Sequence, residues 1–207
     1  MRTAVLFFGR SKHFQVTYAS LVKSLGNVTI DVFYSCDNEP EQSIQEFIQV
    51  CKPVSIINDK IVYDVDFSKY PLLNPAIRHI KYDSMTRHFI NKKRVFTLLE
   101  HHMQTTGSTY DMVVSARLDV PINSLPYIEL AENTVYIPAG NDHCGINDRF
   151  ALGNVESMKK YMMLYDTAIH ILESKLSSPH PESLTLANLI YRKVRVERFP
   201  LSTQIIR

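Results

Sequence analysis

The chain of 207 residues has no tryptophan and three cysteines, Cys36, Cys51 and Cys144. An odd, scattered set without a Cys-x-x-Cys pair argues against a disulfide framework and a zinc ribbon, and reads as reduced thiols in an intracellular compartment. Long apolar runs are missing too. Ala4–Phe8 is too short for a secretory core segment, and nothing is long enough to span a bilayer, so a cytoplasmic protein is expected. Net charge is only +2, which gives no basic field for nucleic acid. The sequence also lacks G-x-G-x-x-G and G-x-x-x-x-G-K-[ST], and no D-x-D follows its first apolar run. Those absences speak against the usual dinucleotide fold, a P-loop NTPase and a haloacid-dehalogenase-type phosphatase. What is present is the composition of an ordinary globular domain, 45% hydrophobic and 21% charged, with 11 Tyr and 10 Phe supplying aromatic surface.

The N-terminal half reads β-α-β-α-β. Thr3–Phe8 is an unalternating apolar run, as in a strand covered on both faces. Phe14, Tyr18, Leu21 and Leu25 recur at helical spacing before Gly26, and Val28–Tyr34 is a second strand. Ile44, Phe47, Ile48 and Cys51 mark a second helix, and Pro53–Ile57 a third strand. A long helix is expected from Asp83 to Gly107 on Met85, Phe89, Phe96, Leu99 and Met103, with the basic residues Arg87, His88, Lys92, Lys93 and Arg94 mostly on its solvated side. Further strands are expected at Met112–Val114, Tyr127–Leu130, Thr134–Ile137, Phe150–Leu152, Val194–Phe199 and Thr203–Ile206, with helices over Val155–Leu172 and Glu182–Tyr191. The expected fold is therefore a single α/β domain with a mixed, mostly parallel central sheet flanked by helices and a Rossmann-like N-terminal half. Residues 1–120 are expected to form a nucleotide-binding half and 121–207 a second half.

Two stretches carry candidate chemistry. In Tyr110–Asn123 a β-branched strand breaks into Ser115-Ala116-Arg117-Leu118-Asp119, which puts a cation and a carboxylate where a buried strand leaves the sheet. In Pro138–Gly153 three glycines gather with Asn141, Asp142, His143, Asn147 and Asp148, the composition of a site-building loop or of plain turns. Gly9-Arg10, after the first strand, suits close backbone approach to a phosphate, and Phe8 or Tyr34 could face a base. Lys81 or Arg87 could reach an anionic ligand from the start of the long helix. Asp64-Val65-Asp66 is a literal D-x-D in a polar, proline-containing segment, open to either a metal site or a solvated loop.

The order of strand, Arg-x-Asp, a Gly/Asn/Asp loop ending in N-D-R-F-A-L-G, a helix, then H-P-E-S-L opening a last helix resembles GT-A-type glycosyltransferases. More narrowly it is similar to the N-terminal domain of the capsid-glycosylating transferase of large algal (chlorella) viruses. The firmest parts are Tyr110–Pro121, Gly145–Gly153 and Pro179–Leu189. The resemblance implies a glycosyltransferase using a nucleotide sugar, a UDP-sugar donor being expected, with a glycan or glycoprotein acceptor such as a viral capsid protein, in the host cytoplasm if the chain is viral. It implies Mn²⁺ or Mg²⁺ held by a D-x-D motif. The matching tripeptide here is Arg117-Leu118-Asp119, so Asp119 is the one metal-ligand candidate. Arg117 and Arg10 would take the phosphates. Asp148, with Asp142 and His143 behind it, would be the catalytic base. A nucleotide-sugar or glycan binding module, and a metal-dependent nucleotidyl or phosphoryl transferase built on Asp64 and Asp66, are the alternatives.

Overall fold

The computed structural model describes residues 1–77 and 80–206. The strands are β1 (Arg2–Phe8), β2 (Thr29–Ser35), β3 (Ser55–Ile57), β4 (Met112–Arg117), β5 (Thr134–Pro138), β6 (Phe150–Gly153) and β7 (Arg195–Phe199). The helices are α1 (Phe14–Leu25), α2 (Glu41–Cys51), α3 (Tyr82–Thr106), α4 (Val155–Met162), α5 (Tyr165–Glu173) and α6 (Pro181–Tyr191). One sheet holds all seven strands in the order β3-β2-β1-β4-β6-β5-β7. β3, β2, β1 and β4 run parallel, β6 runs against its neighbours β4 and β5, and β5 and β7 are parallel. This is the mostly parallel α/β sheet expected of a GT-A-like fold.

Alternation along β1 divides the core. Val5 and Phe7 face Phe14, Leu21, Ile44 and Phe47 of α1 and α2. Ala4, Leu6 and Phe8 face Val95, Phe96 and Leu99 of α3, with Met158 of α4 and Leu189 of α6. A third cluster, centred on Phe67, Met85, Phe89 and Leu184, lies where α3, α5 and α6 meet. In a parallel pair Phe8 is the register partner of Arg117. The ends of β1 and β4 therefore open at the same edge of the sheet, outside the carboxyl ends of the strands.

Three expected elements differ. Val155–Leu172 is two helices, and carbonyls at the break are taken from elsewhere: the Asn188 amide of α6 donates to Lys160 O at 2.9 Å, and Arg192, just past α6, to Met163 O at 3.4 Å. Tyr127–Leu130 joins no ladder. Instead the Tyr136 hydroxyl tethers it, donating to Glu129 O and accepting from Ala131 N. Thr203–Ile206 makes no strand either; Ile206 N donates to Asp119 O, and Thr203 serves as an anchor for side chains of the 139–149 loop.

Candidate active site

A cavity of ≈ 320 Å³ opens at the carboxyl end of β4. Its walls are Lys81, Ser84, Met85 and His88 of the α3 start, Arg117, Asp148, and His180, Pro181 and Glu182 at the start of α6. A larger hollow, ≈ 400 Å³, lies at the β5–β7 edge. Arg195 and Arg198, which line it, are exposed.

The 139–149 loop carries Asp148 into the cavity. Gly140, Asn141, His143 and Cys144 all adopt positive φ, a tight path that little besides Gly and Asn takes readily. The Asn147 side-chain amide donates to Gly140 O at 3.0 Å and to Thr203 Oγ1 at 2.9 Å, and Arg149 Nη1 donates to Thr203 O. At the other end, Arg117 N donates to Arg149 O and Ile146 N to Glu182 O. Gly145 makes that last approach possible: a Cβ there would stand 2.1 Å from Glu182 carbonyl atoms. The loop is thus locked to β4, α6 and the final segment at once.

Asp148 is 4% exposed, and its Oδ2 lies 3.2 Å from His88 Nε2. That nitrogen is sealed from water and makes no aligned hydrogen bond among the described residues, so the contact is electrostatic. Burial alone would push the Asp148 carboxyl up, but His88, Lys92 and Arg117 outweigh it and hold it well below the usual carboxylate range. Burial lowers the His88 pKa against the pull of Asp148. Lys92 and Arg117 add positive charge beside the carboxylate. Lys92 is fully buried, its pKa lowered to about 8 by burial. Its Nζ has no hydrogen-bond partner among the described residues and lies 3.6 Å from the Tyr161 ring centroid. Glu182 is the opposite case to Asp148. Burial, then the Asp148 charge, raise its carboxyl to about 7. His180 Nε2 stands 3.4 Å from Glu182 Oε2, with its own pKa lowered by burial.

Of the expected site residues, Arg117 and Asp148 come together here, with Lys81 on the rim. Gly9 and Arg10 follow the strand paired with β4, at the same edge; Gly9 has φ +92° and Arg10 is exposed. The other expected residues have different surroundings. Phe8 is 3% exposed beneath His88, its ring edge-on at 5.1 Å. Tyr34 is fully buried, stacked on Phe47 at 4.1 Å, its hydroxyl donating to Gly9 O. Neither ring is free to stack on a base. Arg87 is paired with Asp37 and Asp83. Asp142 accepts from Arg198 at 2.6 Å and from Asn147 N, so it shapes the loop. His143 is exposed, 3.3 Å from Arg149 Nη2. Asp66 caps a 3₁₀ turn through Ser68, and Asp64 is exposed. Asp119 gives both carboxylate oxygens to Arg117, at 2.9 and 2.6 Å. Among the described residues no three His, Cys, Asp or Glu side chains gather to hold a metal ion. A lone carboxylate already spent on a guanidinium does not fit a resident divalent cation.

Sequence reasoning missed His88, Lys92, His180 and Glu182. Lys92 stands three residues after Phe89 and four before Phe96, on the apolar stripe of α3, and that spacing was the available signal.

No family model and no curated protein matches the sequence. Among solved structures, galactosyltransferase LgtC in complex with donor and acceptor sugar analogues is similar in fold, with TM-score 0.52, 12% identity, and 94% of this chain and 72% of that chain covered. Glycosyltransferase GlyE of Streptococcus pneumoniae TIGR4 aligns at TM-score 0.49 and 14% identity, over 95% of this chain and 44% of that one. No helix among the described residues is long and apolar enough to cross a membrane.

Proposed function

We propose that this chain transfers a sugar from a nucleotide-diphosphate sugar, UDP-linked in the first instance, to a hydroxyl of a glycan or glycoprotein. The observation that carries the reading is the pairing of two carboxylates of opposed proton affinity, Asp148 and Glu182, across a cavity that also presents Arg117. Enzymes divide acid–base labour by pushing two such groups apart. The location supports it as well: the cavity lies outside the carboxyl ends of parallel strands in a GT-A-like fold.

The acceptor hydroxyl must lose a proton as its oxygen bonds to the sugar C1, while the C1–O bond to the diphosphate breaks and its electron pair leaves with the diphosphate. Glu182 accepts that proton, because its affinity lies near working pH. Asp148 is too weak a base for the task. It stays ionised, and it suits the hydroxyls of the bound sugar as a fixed acceptor. Arg117 faces the leaving diphosphate, where a preorganised cation stabilises developing charge.

The test is release of UDP from a panel of UDP-sugars by the purified chain without acceptor. Slow release that Glu182→Gln reduces by about tenfold or more is expected, a loss on the scale of removing general-base help. Tight nucleotide-sugar binding with no UDP released would instead make the chain a binding module.

A further inference from the structure

Resting on that reading, we infer that the site neutralises the diphosphate with Arg117 and needs no divalent cation. The sequence resemblance implies a metal at Asp119, and the geometry points elsewhere. Arg117 Nε and Nη2 grip Oδ1 and Oδ2 of Asp119 in a two-pronged fork. Charge-assisted pairs of this shape are strong and directional. A cation seated on Asp119 must break both bonds and leave a guanidinium, 30% exposed, without its counter-charge, which is costly where solvent is scarce.

The remaining carboxylates do not complete a shell. Asp148 and Glu182 face the cavity beside His88 and His180, and no group of three metal-ligating side chains forms among the described residues. Positive charge is already built in. Arg117 and Lys81 line the cavity, and the Lys92 ammonium is buried beside Asp148. The fork to Asp119 uses Nε and Nη2 and leaves Nη1 of Arg117 to a ligand. As the sugar C1–O bond breaks, the electron pair arriving on the diphosphate oxygen is met by that guanidinium. Asp119 is then a positioning residue that fixes the plane of Arg117.

The experiment titrates the full chain calorimetrically with UDP, GDP and ADP, in EDTA and in excess MgCl₂ or MnCl₂. At least one diphosphate should bind with affinities agreeing within about threefold between buffers, a difference under 1 kcal/mol. Arg117→Ala should weaken that binding by about tenfold or more in both buffers, as loss of a charge-assisted pair would. Arg117→Lys, which keeps the charge but not the fork, should fall between. Circular dichroism checks that each variant folds. Binding at least about tenfold tighter with Mn²⁺ than in EDTA, or Mn²⁺ restoring Arg117→Ala, overturns the metal-free site while leaving the sugar-transfer reading standing. Binding of none of the three in either buffer overturns both.

Discussion

Single side chains set the chemistry here through their proton affinities. Glu182 is held near 7 by burial and by the Asp148 charge, against Arg117 and Arg149, with His180 beside it. Its ionised form is the base, so kcat/KM should rise as pH passes upward through about 7 and level off above it. Glu182→Gln should remove that limb along with most of the rate, which a pH series of UDP release would read. Lys92 gives a stability signature of the opposite kind. Its folded pKa, about 8, lies below the ordinary lysine value of 10.5, so the unfolded chain holds more protons between those pH values. Stability contributed by this group must therefore grow as pH rises from 8 towards 10.5. In urea titrations at pH 7 and pH 10, the wild type should gain about 1–3 kcal/mol relative to Lys92→Met, the scale of a two-unit shift. An unchanged difference would mean that Lys92 is not held in its buried place.

Elements place those side chains, and the tightest juncture is between the 139–149 loop and the start of α6. Gly145→Ala should push its Cβ into the Glu182 carbonyl. A backbone clash of that kind costs about 1–3 kcal/mol and moves the loop rather than the helix. UDP release should fall sharply while helical circular dichroism stays, and a fully active Gly145→Ala variant would show that the loop can dock otherwise. The same scale explains what could be read from the sequence. β1, β2 and β4, α1 to α3 and the Gly/Asn/Asp loop announce themselves through local period and turn chemistry. The break between α4 and α5 does not, because the groups that take carbonyls there, Asn188 and Arg192, come from far along the chain. Tyr127–Leu130 has residues that suit a strand, but a tyrosine hydroxyl, not a ladder, ties the segment to β5. Asp148 was legible from the polar crowd around it. Glu182 was not, since an acidic residue in the first turn of a helix also serves the helix dipole. Asp119 was legible as a carboxylate at the sheet mouth, but its capture by Arg117 depends on side-chain geometry that a tripeptide does not specify.

For the molecule as a whole, the site is a product of the complete fold. His88, Arg117, Asp148 and Glu182 come from α3, β4, the loop before β6, and α6, so a nucleotide held at this cavity binds the native state alone. Linkage then requires stabilisation on binding, about 2.7 kcal/mol at a ligand concentration of 100 Kd. For a chain of this size that corresponds to a Tm rise of about 5–10 °C. Scanning calorimetry with and without saturating UDP reads it, and no shift would mean that UDP does not bind the folded state.

Thr203 receives Asn141 and Asn147 side chains and, through its carbonyl, Arg149. The loop that presents Asp148 is therefore moored to a stretch lying beyond the last strand. That mooring works as a remote tether: whatever lifts residues 203–206 away, whether a protease, a fused domain or a docking partner, slackens a carboxylate it never touches.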